Sequence, residues 1–166
     1  MEKFLEALAE AKKRLLTADH MVSFTYPVVR DSRLLISIVE NIFLALASTL
    51  SSLLYYERAA KRIPPFHDNF ESKFYMFKEE VSKAYNLQQY STFLEEIRSL
   101  MLAHRESPVE FSRSENFVMC SENYSALKTI SIEKVQQYVR ATKRFFSEAE
   151  DIIKNGKVPV RSKRRA

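Results

Sequence analysis

The chain has 166 residues, of which 46 % are hydrophobic, so it is long enough to bury the core of one domain of ordinary size. Its single glycine, Gly156, excludes the glycine-rich loops that bind nucleotide phosphates and disfavours a fold with many tight β-turns. Its single cysteine, Cys120, excludes an intramolecular disulfide and a thiolate metal cluster, and we expect this thiol to be a small buried side chain.

The net charge of +5 is concentrated in residues 157–166, where every charged side chain is basic. The remaining chain is electrically balanced, so the high isoelectric point does not indicate a basic surface on the folded body. We therefore predict a single helical domain over residues 1–156, followed by a basic, disordered tail over residues 157–166.

Hydrophobic residues recur at helical spacing in five segments, which prolines and polar clusters separate. The predicted helices run from about Lys3 to Met21, from Asp31 or Ser32 to about Arg62, from Asn69 to Tyr85, from about Leu87 to Arg105, and from Ser131 to Asn155. We expect a connector over Ser23–Arg30, because it contains Pro27. These elements predict an all-α fold, an antiparallel four- to five-helix up-and-down bundle.

The segment from Glu106 to Ser131 has no strong helical period, and it contains Pro108. We expect a long ordered connector folded over the bundle before the last helix, with a short strand pair as the alternative to an irregular loop. The last helix has a clear apolar side, and the positions predicted to be buried are Val135, Tyr138, Val139, Thr142, Phe145, Phe146, Ala149, Ile152 and Ile153.

The most apolar stretch of the chain, Leu34 to Tyr56, contains Glu40 and Asn41 as well as several serine and threonine residues. That content disfavours a membrane span. The N-terminal residues include acidic side chains and lack the continuous apolar stretch of a secretory signal. The sequence therefore predicts a soluble cytoplasmic protein with no membrane contact.

Arg98 and His104 carry the most distinctive chemistry of the chain, six residues apart on the predicted fourth helix. A cation of fixed charge, close to a side chain that exchanges protons near neutral pH, suits phosphodiester chemistry. Six residues correspond to about 240° around a helix, so the two side chains would border a groove instead of sharing one face. The structural alternative is a packed histidine, with Arg98 paired to Glu95 one turn earlier.

The segment from Arg98 to His104 resembles the Arg-x(4–6)-His signature of HEPN domains, and it stands late in the penultimate predicted helix, as in that family. The resemblance implies a two-fold dimer in which the Arg/His pairs meet in one cleft, and a metal-independent endoribonuclease without a cofactor. His104 would transfer a proton at the 2′-hydroxyl or the leaving oxygen, and Arg98 would hold the scissile phosphate. The chain departs from the toxin-type motif, which has four intervening residues and a tyrosine where Glu106 stands.

Other residues are weaker candidates for the same site. Ser99 and Arg105 are predicted phosphate contacts, and Glu40 and Asn41 are predicted polar residues lining the cleft. The isolated histidines His20 and His67 have no partners at metal-ligand spacing, so no metal site is predicted.

Three functions remain open at the level of the sequence. The first is an HEPN-like endoribonuclease, a homodimer that acts on RNA. The second is a non-catalytic interaction or scaffold module of the same fold, and the third is an RNA-binding protein that uses its basic tail. A protein partner such as an antitoxin is a further expectation from the family resemblance.

Overall fold

The structure is a computed structural model that describes residues 2–121, 126–157 and 159. Five helices account for most of these residues, and a small antiparallel sheet lies between the last two. Helix α1 consists of three consecutive segments, Lys3–His20, Met21–Thr25 and Tyr26–Val29, and α2 spans Arg33–Ala59. Helix α3 also has three segments, Phe70–Met76, Phe77–Val81 and Ser82–Tyr85, while α4 spans Gln88–Glu106 and α5 spans Ile132–Asn155.

The predicted connector over Ser23–Arg30 is wrong, because α1 continues through it to Val29. The segment Met21–Thr25 is π-helical, and Pro27 follows in the first turn of the next helical segment. Proline is tolerated in the first turn of a helix, because the N–H groups there have no acceptor within the helix and the missing N–H of proline costs little. Arg30 then ends the helix in the left-handed conformation, with φ of 53°.

Helix α2 is the centre of the core, and it packs against each of the other helices. Its fully buried apolar side chains are Leu35, Ile38, Val39, Ile42, Leu46, Leu50, Leu53 and Leu54. Among the described residues, Arg33–Ala59 is the one helix long and apolar enough to cross a membrane, and 56 % of its most apolar window is buried in the protein. The core helix of a soluble protein has the same length and composition, so this finding is weak evidence for a span.

An ion pair between a buried carboxylate and a partly exposed arginine fixes the end of α2. The carboxylate of Glu57 is almost fully buried, and it accepts hydrogen bonds from Arg62 Nε at 2.7 Å and Arg62 Nη2 at 2.9 Å. The hydroxyl of Tyr85, at the end of α3, donates to the same carboxylate. Burial, together with this bond to Glu57, raises the pKa of Tyr85. The cluster therefore ties the ends of two helices together.

Helix α3 begins where the sequence indicates, since the Asn69 side chain accepts a hydrogen bond from the Ser72 N–H at 2.8 Å. The break before α4 is also confirmed, with Asn86 in the left-handed conformation at φ of 58°. Helix α5 begins at the predicted cap Ser131 and ends before Gly156, whose φ of 65° suits a residue without a side chain. All nine positions predicted for its buried side are buried.

The segment after α4 forms a three-stranded antiparallel sheet, so the chain is mostly helical but not all-α. The strands are β1 (Val109–Arg113), β2 (Asn116–Cys120) and β3 (Leu127–Ile130), in the order β1-β2-β3. The hairpin between β1 and β2 turns without glycine, because Ser114 adopts a φ of 57°. A contact between the hydroxyls of Ser112 and Ser32 holds β1 against the start of α2.

Two further predictions concern the single cysteine and the basic tail. Cys120 ends β2 and is buried, as the sequence predicts. The predicted basic tail lies outside the described residues except for Lys157 and Pro159, so its expected disorder stays a prediction.

Candidate functional site

His104 lies near the end of α4, with a carboxylate beside each nitrogen of its ring. Its Nδ1 is 2.7 Å from Glu110 Oε2 on β1, and its Nε2 is 3.3 Å from Glu40 Oε1 on α2. The imidazole therefore connects α4 to both neighbouring elements and keeps about a third of its surface exposed. The contact to Glu110 is shorter and less exposed than the contact to Glu40, so Glu110 orients the ring and Nε2 faces the more open side.

These two carboxylates do not form a metal site with His104. They lie beside the two different nitrogens of the ring, so their oxygens and a ring nitrogen do not converge on one point. Among residues 2–121, 126–157 and 159, no group of three or more His, Cys, Asp and Glu side chains is arranged to hold a metal ion.

Arg98 lies six residues earlier on α4, between aromatic rings and a carboxylate. Its guanidinium carbon is 4.8 Å from the ring centroid of Phe70 and 5.9 Å from that of Phe43. Its Nη2 donates a hydrogen bond to the exposed carboxylate of Glu71. The Nε–H is buried and has no hydrogen-bond partner within the described residues. A buried donor without an acceptor is unfavourable by about 1–3 kcal/mol, so a movement of the guanidinium that brings this N–H to an acceptor would be favourable.

Helix α2 brings the two candidate residues to one side of the molecule. Glu40 contacts His104, and Phe43, which lies one turn later on α2, packs under Arg98. The ring of Phe43 also contacts that of Phe70, with centroids 5.2 Å apart. Arg98 and His104 therefore border the same stretch of α2, although their side chains leave α4 in different directions.

The secondary candidates divide between this cleft and other surfaces. Glu40 contacts His104 directly, while the amide of Asn41 points the other way, donating to the Ser37 carbonyl at 3.1 Å and approaching the Met21 sulfur at 3.7 Å. Ser99 accepts a hydrogen bond from Lys128 on β3 and lines a hollow of about 290 Å³ between α4 and the sheet. Its hydroxyl is therefore engaged away from the cleft, and Arg105 is exposed at the end of α4.

Exposed apolar side chains lie on both α1 and α2 near the cleft. Leu44 lies one turn after Glu40 and is 41 % exposed, and Phe24 on α1 is 65 % exposed. Met21 lines the same surface of α1 as Phe24, and it contacts Asn41, which lies three residues before Leu44 on α2. We call Phe24, Met21 and Leu44 the apolar surface.

Sequence reasoning missed the carboxylates that surround the candidate pair. Glu71 is 27 residues before Arg98, and only the packing of α3 against α4 and α2 brings it to the guanidinium. Glu110 lies six residues after His104, in the strand that the helical pattern does not predict. A local spacing rule therefore identifies neither residue.

Comparison with known proteins finds no matching family model, no matching curated protein and no matching solved structure.

Proposed function

We propose that this chain is an HEPN-like, metal-independent endoribonuclease that cleaves RNA at a dimer cleft through Arg98 and His104. The observation that carries the proposal is the pairing of an Arg98 Nε–H that lacks an acceptor with a histidine bordering the same stretch of α2. A phosphate oxygen is the acceptor that a guanidinium fork recognises best. The exposed Glu71 carboxylate occupies Nη2 in the absence of RNA and can rotate into solvent when a phosphate binds.

His104 supplies the proton transfer in this proposal. The ribose 2′-oxygen forms a bond to phosphorus while the bond from phosphorus to the 5′-oxygen breaks, so the products are a 2′,3′-cyclic phosphate and a 5′-hydroxyl. The 2′-hydroxyl loses a proton and the leaving oxygen gains one; His104 Nε2 serves at one of these atoms, and solvent water serves at the other. Glu110 at Nδ1 keeps the ring oriented, and Arg98 stabilises the charge that develops on the phosphate.

The wild-type protein tests this proposal directly. We expect it to cleave a labelled single-stranded RNA in the presence of EDTA and to leave products with a cyclic phosphate end. A matched RNA with one 2′-deoxynucleotide at the cleaved position should resist cleavage at that position. Intact RNA after incubation with pure protein in EDTA, or equal cleavage of the 2′-deoxy substrate, would contradict the proposal.

The same proposal places a second copy of the chain on the apolar surface. Leu44, at the α2 edge of that surface, lies one turn after Glu40 on the His104 side of the cleft, so a two-fold contact centred on Leu44 would bring two clefts near each other. Burial of Leu44 and Phe24 in such an interface removes exposed apolar area from water.

We expect Leu44→Glu to shift the protein from dimer to monomer in sedimentation equilibrium, because a carboxylate would be buried opposite its own two-fold copy. The matched control is Leu127→Glu, at an exposed leucine on β3, the edge strand farthest from β1 and His104. The control should keep the wild-type oligomeric state. A monomeric wild-type protein, or an equal effect of the two variants, would exclude this interface.

A specific observation favours a second function, that of a non-catalytic scaffold module of the same fold. Both nitrogens of His104 contact carboxylates, so the ring also serves as a tie between α4, α2 and β1. In that function, replacement of His104 changes stability while RNA stays intact.

A further inference from the structure

Three cationic side chains surround the ring of Tyr55 near the C-terminal end of α2. The amino nitrogens of Lys3 and Lys73 lie 5.4 Å and 5.2 Å from the ring centroid, and the guanidinium carbon of Arg58 lies 5.3 Å from it. Arg58 also lies 4.8 Å from the ring of Phe66, which stacks on Tyr55. We call Lys3, Arg58 and Lys73 the cationic cluster.

One carboxylate balances one of these three charges. Lys73 Nζ is 2.6 Å from Asp68 Oδ1, and the Tyr55 hydroxyl donates a hydrogen bond to the same atom at 2.9 Å. The hydrogen bond from Lys73 lowers the pKa of Asp68 most, and the bond from Tyr55 adds to the effect. Within the part of the chain that the structure describes, Lys3 and Arg58 form no ion pair. The charge of Lys3 also lowers the pKa of Asp68, so the three cations share this one carboxylate and the cluster keeps a net positive charge.

Two like charges held around one ring repel each other, and an anion between them relieves that repulsion. The aromatic rings add a second feature, because Tyr55 and Phe66 hold the guanidinium of Arg58 in place by cation–π contacts. Cations interleaved with aromatic side chains are the combination that binds single-stranded nucleic acid without sequence preference.

The cluster is connected to the proposed active site through the start of α3. Lys73 lies one turn after Phe70, the residue whose ring packs against Arg98. Along α2, Tyr55 lies twelve residues after Phe43, which corresponds to about 18 Å at 1.5 Å per residue. An RNA strand that contacts both places must therefore extend several nucleotides beyond the scissile phosphate.

We propose that the cationic cluster binds the phosphodiester backbone of the single-stranded RNA whose scissile phosphate lies at Arg98, with Lys3 and Arg58 as the phosphate contacts. This inference takes RNA as the ligand from the proposed function. It adds a second RNA-binding surface, formed by residues outside the segment from Arg98 to His104. The body of the protein is electrically neutral as a whole, so a local cluster of this kind is needed to hold a polyanion.

The salt dependence of RNA binding tests the inference. Fluorescence anisotropy with a labelled twelve-nucleotide RNA gives the dissociation constant at 50 and 200 mM salt, in a His104→Gln background that prevents cleavage. We expect the double variant Lys3→Gln/Arg58→Gln to bind RNA more weakly. The logarithm of its association constant should also fall less steeply with the logarithm of the salt concentration, by about 1.4 in slope, because two phosphate contacts are lost. The ratio of the association constant at 50 mM salt to that at 200 mM salt should then be about sevenfold smaller in the double variant than in the protein with Lys3 and Arg58 intact.

The control is Lys12→Gln/Lys13→Gln, which removes the same charge from exposed positions on α1 outside the cluster. It should keep the wild-type slope. An unchanged slope in the Lys3/Arg58 variant, or an equal fall in the control, overturns the inference whether or not the wild-type protein cleaves RNA. A lower slope in the cluster variant alone, from a protein that leaves RNA intact in EDTA, supports the binding surface and overturns the nuclease.

Discussion

Replacement of Arg62 by methionine is expected to lower the free energy of unfolding at neutral pH by about 3–5 kcal/mol. The guanidinium makes two hydrogen bonds to Glu57, whose side chain is only 3 % exposed. Without Arg62, the Tyr85 hydroxyl is the one remaining donor to this carboxylate among the contacts that the structure describes. Methionine keeps an apolar stem beside the Tyr56 ring, so the loss reports mainly on the unpaired buried charge.

Urea unfolding followed by circular dichroism measures this loss, with Arg14→Met as the matched control. Arg14 pairs with Glu10 at 2.9 Å, but both side chains are well exposed, so the control should change stability by about 0–1 kcal/mol. Adding Glu57→Leu to the Arg62 variant removes the unpaired carboxylate and should recover part of the loss. Equal effects at the two arginines, or no recovery in the double variant, would show that the Glu57 pair does not hold the helix ends together.

The helices could be predicted from the sequence because the information that specifies them is local. The nine buried positions of α5 recur at helical spacing, and Ser131 and Gly156 mark its ends in the residue types themselves. The failure at Ser23–Arg30 has a local cause as well. Pro27 stands in a first helical turn after a π-helical segment, and this arrangement leaves the same sequence signal as a break.

The three-stranded sheet could not be predicted from the sequence, because its first hairpin lacks the turn residues that usually mark one. A tight hairpin usually contains glycine or asparagine where φ is positive, whereas here Ser114 occupies that conformation. The alternating pattern of β1 is also weak, since four of its five residues are exposed. The strand pair kept as an alternative therefore captures only part of a three-stranded sheet.

The candidate site shows a similar division between local and distant information. The motif identifies Arg98 and His104, but their environment comes from distant elements: Phe70 and Glu71 from α3, and Glu40 from α2. Ser99 follows Arg98 in the sequence, yet on a helix it is rotated by about 100°, and the structure engages it with Lys128 on β3. Adjacency in the sequence was thus a poor guide to the contents of the cleft.

The second large effect is expected at the motif itself, where His104→Gln should reduce RNA cleavage by about 10²–10⁴-fold. Glutamine retains an amide that can hydrogen-bond to a neighbouring carboxylate, but it cannot exchange a proton near neutral pH. The matched control is His67→Gln, an exposed histidine in the connection between α2 and α3. It removes the same ionisable group from outside the cleft, so cleavage should stay at the wild-type rate.

Arg98→Lys should reduce the cleavage rate by about 10²–10³-fold, the effect typical of losing one donor that stabilises developing charge. Lysine keeps the positive charge but has no Nε–H and no planar fork, so the unpartnered donor of Arg98 is the group under test. Arg140→Lys makes the same change at an exposed position of α5 and should have no comparable effect. If folded His104→Gln and Arg98→Lys proteins cleave RNA as the wild type does, the reaction does not use these two residues and the proposed site is wrong. If the wild-type protein also leaves RNA intact, the scaffold function replaces the nuclease.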